Sequence, residues 1–319
     1  MGSSIITVLD TSVGSCNGGD EIIMQAVQKH LEDVFPEAHI CRGFTHFYNS
    51  WPSYQLFRMS RFRFVGGTNL LSSHMLRYKQ WKINLIDRVL LKKVILMGVG
   101  WWQYQGKPDL YTQYLLSHIL DPEATHSVRD SYTREMLADI GIHNVVVTGC
   151  PTIWDLSDDH CSRIPRDKAQ SVVFTLTDYS RDPRMDRKFV NTLFELYESV
   201  YFWPQGTGDS EYLESLGASG KIHRVLPHLS SYENFLKNKL DQLEYVGTRL
   251  HAGIRAMQAG RRTVIIGIDN RAVEMGLDFG IPVCQRSNLG ELPEMLNTPF
   301  STRIRVPVQT IRCWKEQFT

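Results

Sequence analysis

Strand and helix patterns alternate along nearly the whole of this 319-residue chain, and that alternation constrains the fold more than any other feature. Ile5 to Leu9 is an apolar run of strand length, and Asp20 to Phe35 follows with Ile22, Ile23, Ala26, Val27 and Leu31 at helical spacing. Short strands are predicted near Ile40, at Phe62 to Val65 and at Lys93 to Met97, then at His126 to Arg129 and Asn144 to Thr148. Leu110 to Leu120 and Ser131 to Asp139 read as helices. A polar, irregular stretch from Ser157 to Gln170 interrupts the pattern. A second set then begins, with strands at Ser171 to Thr177, Val200 to Trp203, Ile222 to Leu226, Gln242 to Val246, Thr263 to Ile268 and Ile281 to Cys284. Helices fit between them, including Ser230 to Lys239, Leu250 to Ala259 and Asn270 to Phe279. Such alternation builds parallel sheets covered by helices. The expectation is an α/β chain of two Rossmann-like lobes facing a cleft, divided as 1–160 and 161–319.

In open parallel sheets, ligands bind beyond the carboxyl ends of the strands. The chain places glycine and small polar residues there four times: Thr11 to Asp20, Gly66 to Asn69, Gly98 to Gly100, and Gly247-Thr248-Arg249. Glycine lets a ligand approach the backbone closely. None of these turns has the spacing of a GxxxxGK[ST] phosphate loop or a clean GxGxxG fingerprint.

The richest of them runs from Tyr245 to Met257. Arg249, His251 and Arg255 fall within seven residues where a strand gives way to a helix. Free N–H groups and the helix dipole favour an anion at such a position. Guanidinium groups add bidentate donors for phosphate or carboxylate, and an imidazole can carry a proton. The pattern suggests chemistry on a phosphorylated acid. It also fits a plain strand–turn–helix with surface arginines and a hydrogen-bonded histidine.

Composition narrows the classes. Apolar residues make up 42% and charged residues 22%, as in a soluble globular protein. A net charge of +1 argues against a nucleic-acid partner. The six cysteines form no CxxC pair, so no metal site or disulfide framework is indicated. Scattered small cysteines and an N-terminus without a secretion pattern point to the cytoplasm.

Seven motifs occur in an order that resembles the polysaccharide pyruvyltransferases: Asn17-Gly18-Gly19-Asp20-Glu21, Gly66-Gly67-Thr68, Gly98-Val99-Gly100, Val128-Arg129-Asp130, Gly149-Cys150-Pro151, Gly247-Thr248-Arg249-Leu250-His251 and Asp269-Asn270-Arg271. The likeness spans roughly residues 5 to 285, and the Arg-Leu-His segment is its most specific part. The resemblance implies a GT-B-like architecture, with the first lobe on the acceptor side and the second on the donor side. It implies transfer of pyruvate from phosphoenolpyruvate to two hydroxyls of a saccharide, giving a cyclic ketal and phosphate. Arg129 and Arg249 would hold the donor with Gly247 and Thr248, and His251 would act as acid/base alongside Arg249. No cofactor or metal is expected. The chain departs from the family at Trp101-Trp102, where small residues are usual, and at Cys150, where an acidic residue is usual.

Substrate contacts are expected from Asn17, Asp20, Gly67, Thr68, Asn69, Trp101, Asp269 and Asn270. Several have a second reading. Asp20, Asp269 and Asn270 can cap the helices they open, as can Asp130. Trp101, Trp102 and Tyr104 can stack on a sugar face or close the lobe interface. His74, His118, His126 and His228 show no partner pattern and read as structural. The partners expected are phosphoenolpyruvate and a saccharide acceptor, lipid-linked or free. Arg58, Arg61 and Arg63 interleave with Phe57, Phe62 and Phe64, while Arg77, Lys79, Lys82, Arg88, Lys92 and Lys93 surround Trp81. Such stretches can touch the inner membrane surface or simply face solvent. A nucleotide-sugar glycosyltransferase and a non-catalytic saccharide- or phosphometabolite-binding protein are the alternative functions.

Overall fold

The computed structural model describes residues 4–91, 93–218, 220–238 and 242–319. Lys92 of the basic stretch and Lys239, expected at the end of a helix, lie outside them. The chain forms two compact units.

The first unit holds β1 (Ile5–Asp10), β2 (His39–Phe44), β3 (Phe62–Gly66), β4 (Asn69–Leu71), β5 (Val94–Met97), β6 (Gly100–Trp101), β7 (His126–Val128) and β8 (Val145–Val147). Its main sheet has the parallel order β2-β1-β3-β5. The parallel pair β7-β8 extends it beyond β5, where the Gly98 amide donates to the Ser127 carbonyl at 2.9 Å and Val99 bridges Val128. The second unit holds β9 (Ser171–Thr175), β10 (Ser199–Phe202), β11 (Ile222–Arg224), β12 (Leu243–Gly247), β13 (Thr263–Gly267) and β14 (Val283–Gln285). These form one parallel sheet in the order β11-β10-β9-β12-β13-β14. Every residue of β9, β12 and β13 is buried. A parallel strand covered on both faces is apolar along its length rather than alternating, which is why these segments are legible as strands.

The units do not follow a single cut at residue 160. The first comprises Met1–Ser15, Ile23–Trp154 and Val306–Thr319; the second comprises Cys16–Ile22 and Asp155–Arg305. Aromatic packing explains the last segment. The helix Val308–Glu316 carries Trp314, and Phe318 follows it; both are buried. The Phe318 ring lies 5.1 Å from Phe64 and 5.3 Å from Phe62, and the Trp314 ring lies 5.8 Å from Trp154. Trp314 Nε1 donates to the Thr125 carbonyl at 2.8 Å. A helix at Trp51–Met59 also goes beyond the sequence expectation, its aromatic side chains obscuring the helical period.

His126 is structural, as its lack of a partner pattern suggested. It is fully buried at the head of β7. Nδ1 accepts the Leu96 amide at 3.3 Å, and Nε2–H donates to the Asp121 carbonyl at 3.0 Å, an arrangement that requires the neutral ring. Burial is the main cause that pushes its pKa down to about 4.

Two measurements follow. The unfolded chain takes up the His126 proton near ~6.5 and the folded chain only near 4, so the neutral ring's contribution is complete above the first value and lost as pH falls toward the second. Denaturation of the protein between pH 7 and pH 4.5 should show a loss approaching about 3 kcal/mol from this group, absent in His126→Asn. Phe318→Ala should lower the stability of the first unit by about 3 kcal/mol, because a large ring leaves a packed aromatic cluster. A denaturant midpoint equal to that of the parent would show the C-terminal segment to be dispensable.

Candidate functional site

The second sheet runs outward in both directions from the β9–β12 pair. That is its topological switch point, where the loops leaving two adjacent strands diverge and a crevice opens. The loop after β9 carries Leu176 to Tyr179, and the turn after β12 carries Thr248 and Arg249. Gly247 closes β12, where a side chain would come within 2.6 Å of Thr175 Oγ1 and 2.7 Å of the Tyr245 hydroxyl. Thr248 is buried, and its hydroxyl lies 2.8 Å from that of Thr177, tying the two loops together.

Arg249 is the N-cap residue of the helix Leu250–Gln258 and is only 3% exposed. Nε donates to the Leu176 carbonyl at 2.9 Å. Nη2 donates to Asp178 at 3.0 Å and to the Asp209 carboxylate. Nη1 takes no hydrogen bond among the described residues. Asp209 is fully buried and accepts the amides of Gln205 at 3.1 Å, Gly206 at 2.7 Å and Asp178 at 3.2 Å. Burial pushes its carboxyl above the ordinary range, and the Arg249 guanidinium opposes that rise. The loop between β10 and the helix Asp209–Ser215 must pass close to the pair. A side chain at Gly206 would sit 2.5 Å from Arg249 Nη2.

His251 occupies the second position of the same helix and is buried. Arg255, expected beside them, points elsewhere: its Nε lies 3.5 Å from Glu233 on the helix Leu229–Asn238. Six residues of helix separate it from Arg249, which rotates it away from the strand ends. Asp269 caps the helix Asn270–Phe279 by accepting the Arg271 amide at 3.1 Å, and it also pairs with the Arg271 guanidinium. Asn270 opens that helix and is buried. Tyr179 links the two arginines of this edge. Its hydroxyl accepts from Arg271, and its ring centroid lies 5.0 Å from the Arg249 guanidinium carbon.

Asn17 and Asp20 belong with this edge, not with the first lobe. Residues Cys16–Ile22 count with the second unit. Asn17 bridges Gly206, its Oδ1 accepts from Gln205 Nε2 at 2.6 Å, and the Gly18 amide donates to the Gln205 carbonyl at 2.9 Å. The helix starts at Gly18, two residues earlier than expected, and Asn17 Oδ1 accepts the Gly19 amide at 3.1 Å. Asn17 therefore fills the capping role expected of Asp20, which is the third helical residue and accepts from Asn17 Nδ2 at 3.4 Å.

In the first unit the expected residues form a separate cluster. Arg129 is 1% exposed, and its three nitrogens hold three loops. Nε donates to Asp130 at 2.7 Å, Nη1 to Asn69, and Nη2 to the Trp101 carbonyl at 3.4 Å. Gly100 is required there, because a side chain would lie 2.2 Å from the guanidinium carbon. Each nitrogen of this arginine is engaged by its own loops. Asp130 also caps the helix Ser131–Ala138 through the Thr133 amide. Gly67 and Thr68 both have left-handed φ, of 56° and 58°, and bring the chain sharply into β4. Trp101 is not a sugar platform. It is fully buried in the core as part of β6, with its indole N–H 3.2 Å from Gln105 Oε1. Trp102 is half-buried against Tyr78, so Tyr104 is the exposed aromatic of this loop.

Sequence reasoning missed Asp178, Tyr179, Gln205 and Asp209. A signal existed: Gly206-Thr207-Gly208 is a further glycine turn, separated from the end of β10 by three residues.

The profile of the polysaccharide pyruvyl transferase family matches residues 17–270. No curated protein matches the chain. Among solved structures, the chain is similar to the UDP-GlcNAc 2-epimerase of Methanocaldococcus jannaschii in complex with UDP-GlcNAc and UDP, with 13% identity and a TM-score of 0.55 over 99% of this chain and 100% of that one. It is also similar to a putative UDP-N-acetylglucosamine 2-epimerase of Listeria monocytogenes, with 10% identity and a TM-score of 0.50 over 93% and 88% of the two chains. These neighbours are of the GT-B type, and at such identities the likeness concerns the fold alone.

The two carboxylates on Arg249 should behave differently. Asp209→Asn leaves a buried cation short of its enclosed partner and should cost about 3 kcal/mol of stability. Asp178 is 27% exposed, so Asp178→Asn should cost less than about 1 kcal/mol. Denaturant titration of both variants tests this order, and equal losses would contradict it.

Proposed function

Because the chain belongs to the polysaccharide pyruvyl transferase family, a family of transferases, we propose that it moves pyruvate from phosphoenolpyruvate onto two hydroxyls of a saccharide as a cyclic ketal. The observation that carries this reading is the pairing of Arg249 and His251 at the switch point of the second sheet. Arg249 is held rigidly by Asp209 and Leu176 while Nη1 remains available, as a preorganised anion ligand should be. The donor exchanges with Asp178, the solvent-reached carboxylate, and leaves Asp209 in place.

In this reading His251, as imidazolium, donates its proton to the methylene carbon of phosphoenolpyruvate. The adjacent carbon becomes an oxocarbenium centre. One saccharide hydroxyl adds to it and returns its proton to His251. The bond from that carbon to the phosphate oxygen breaks, and the second hydroxyl closes the ketal as its proton passes to the departing phosphate. Arg249 balances charge on the donor throughout. The reaction takes place in the cytoplasm, where phosphoenolpyruvate is formed, and draws on a saccharide from cell-surface or exopolysaccharide synthesis.

Phosphate release and a pyruvate-ketal mass gain, measured with phosphoenolpyruvate and a panel of saccharides, test the reaction. His251→Gln should lower turnover by ~10²–10⁴ while leaving the fold intact. Arg249→Lys should raise the KM for phosphoenolpyruvate about tenfold or more, since a point charge replaces the fork. Asp178→Asn should lower it. Thermal stabilisation by nucleoside diphosphates, with none from phosphoenolpyruvate, would favour a nucleotide-sugar transferase. Binding without turnover, unchanged in His251→Gln, would favour a non-catalytic role.

A further inference from the structure

Charge is distributed unevenly along this nearly neutral chain. Residues 41–120 hold eleven Arg and Lys against two Asp and no Glu, whereas the whole chain has 35 basic and 34 acidic residues. The structure buries one of those carboxylates and leaves the other, Asp109, 37% exposed and paired with His74. Asp87 is fully buried and accepts from Asn49 Nδ2 at 2.7 Å, the Tyr54 hydroxyl at 3.1 Å and the Asn84 amide at 2.8 Å. Asp109 caps the helix Leu110–Ile119 through the Thr112 amide at 2.8 Å and lies 3.0 Å from His74 Nδ1.

Large apolar side chains emerge on the same elements. Trp51 is 65% exposed, Ile86 60%, Val89 56% and Leu110 81%. The helices Trp51–Met59, Asp87–Leu90 and Leu110–Ile119 are in contact in series, so these side chains share one region of the first unit. Cations stand among them. Lys82 Nζ lies 5.9 Å from the centre of the exposed Tyr48 ring, and the Arg88 guanidinium lies 5.2 Å from that of Tyr114. A cation held on an aromatic ring beside exposed aliphatic groups is suited to the boundary between lipid headgroups and acyl chains.

We propose that this face of the first unit docks on an anionic phospholipid bilayer. The cations meet the headgroup phosphates, and Trp51, Ile86, Val89 and Leu110 enter the acyl boundary. A soluble polyanion would account for the basic residues but not for four exposed apolar groups beside them, since burying those gains free energy only against an apolar phase. Among the described residues no helix is long and apolar enough to cross a membrane, and the contact proposed is peripheral.

Co-sedimentation of the full chain with vesicles tests the proposal. Vesicles with about one third phosphatidylglycerol should bind at least about tenfold better than phosphatidylcholine alone, and raised salt should weaken the binding. The double variant Lys82→Glu/Arg88→Glu should lose about tenfold or more in partition. Ile86→Ser/Val89→Ser should also bind less while its charge is unchanged. Circular dichroism confirms the fold of each variant, and these side chains are at least partly solvent-exposed. The Trp51 contribution to fluorescence, isolated by comparison with Trp51→Phe, should shift to the blue on anionic vesicles. Equal binding to both vesicle types, or variants that bind as the parent does, would overturn the proposal. So would capture of an anionic polysaccharide or DNA by this face with no vesicle binding. None of these readouts depends on pyruvyl transfer.

Discussion

The buried carboxylate of Asp209 organises the strand-end edge of the second unit. It gathers three backbone amides from two loops and a guanidinium from a third. Removing such a carboxylate from water is costly, and only a well-formed set of donors offsets that cost. The donors arrive only if β9, β10 and β12 end in register, so the charge cluster and the sheet specify each other. The pair also fixes the start of the helix Leu250–Gln258, and with it the direction in which His251 is carried.

The first unit uses the same device with different residues. Arg129 follows β7, is buried, and reaches Asp130, Asn69 and the Trp101 carbonyl. In both units an arginine just beyond a strand joins loops that leave separate strands, and a glycine makes room for the guanidinium, Gly100 in one and Gly206 in the other. The difference lies in what remains. Arg129 has a partner at each nitrogen, whereas Arg249 keeps Nη1 without one among the described residues and shares Nη2 with a carboxylate that solvent can reach. Position after a strand is common to the two arginines, and hydrogen-bond occupancy distinguishes them.

Much of the fold was legible because buried parallel strands are apolar along their length and the intervening helices keep their period. Arg249 and His251 stood out because their spacing places them on the first turn of a helix. The partners did not stand out, for a physical reason. Asp209 lies 40 residues from Arg249, and Gln205 lies 188 residues from Asn17. No local pattern records a long-range ion pair or amide contact. Trp101 misled for the opposite reason. It follows a glycine turn, where solvent is expected, yet Gly100–Trp101 forms a short strand beside β4 that carries the indole into the core. Arg255 lies six residues beyond Arg249 on the same segment, and helical rotation takes it to Glu233.

The path of the chain bears on how the protein is made. Val306–Thr319 supplies Trp314 and Phe318 to an aromatic cluster whose other members, Phe35, Phe62, Phe64 and Trp154, are all synthesised earlier. A ribosome must therefore complete the entire second sheet before the first core can close. Until the final turn of helix clears the exit tunnel, those aromatic faces stay uncovered, and closing them means joining segments more than 150 residues apart. The first unit therefore leaves apolar aromatic surface uncovered while the second sheet is made, even though its strands lead the sequence.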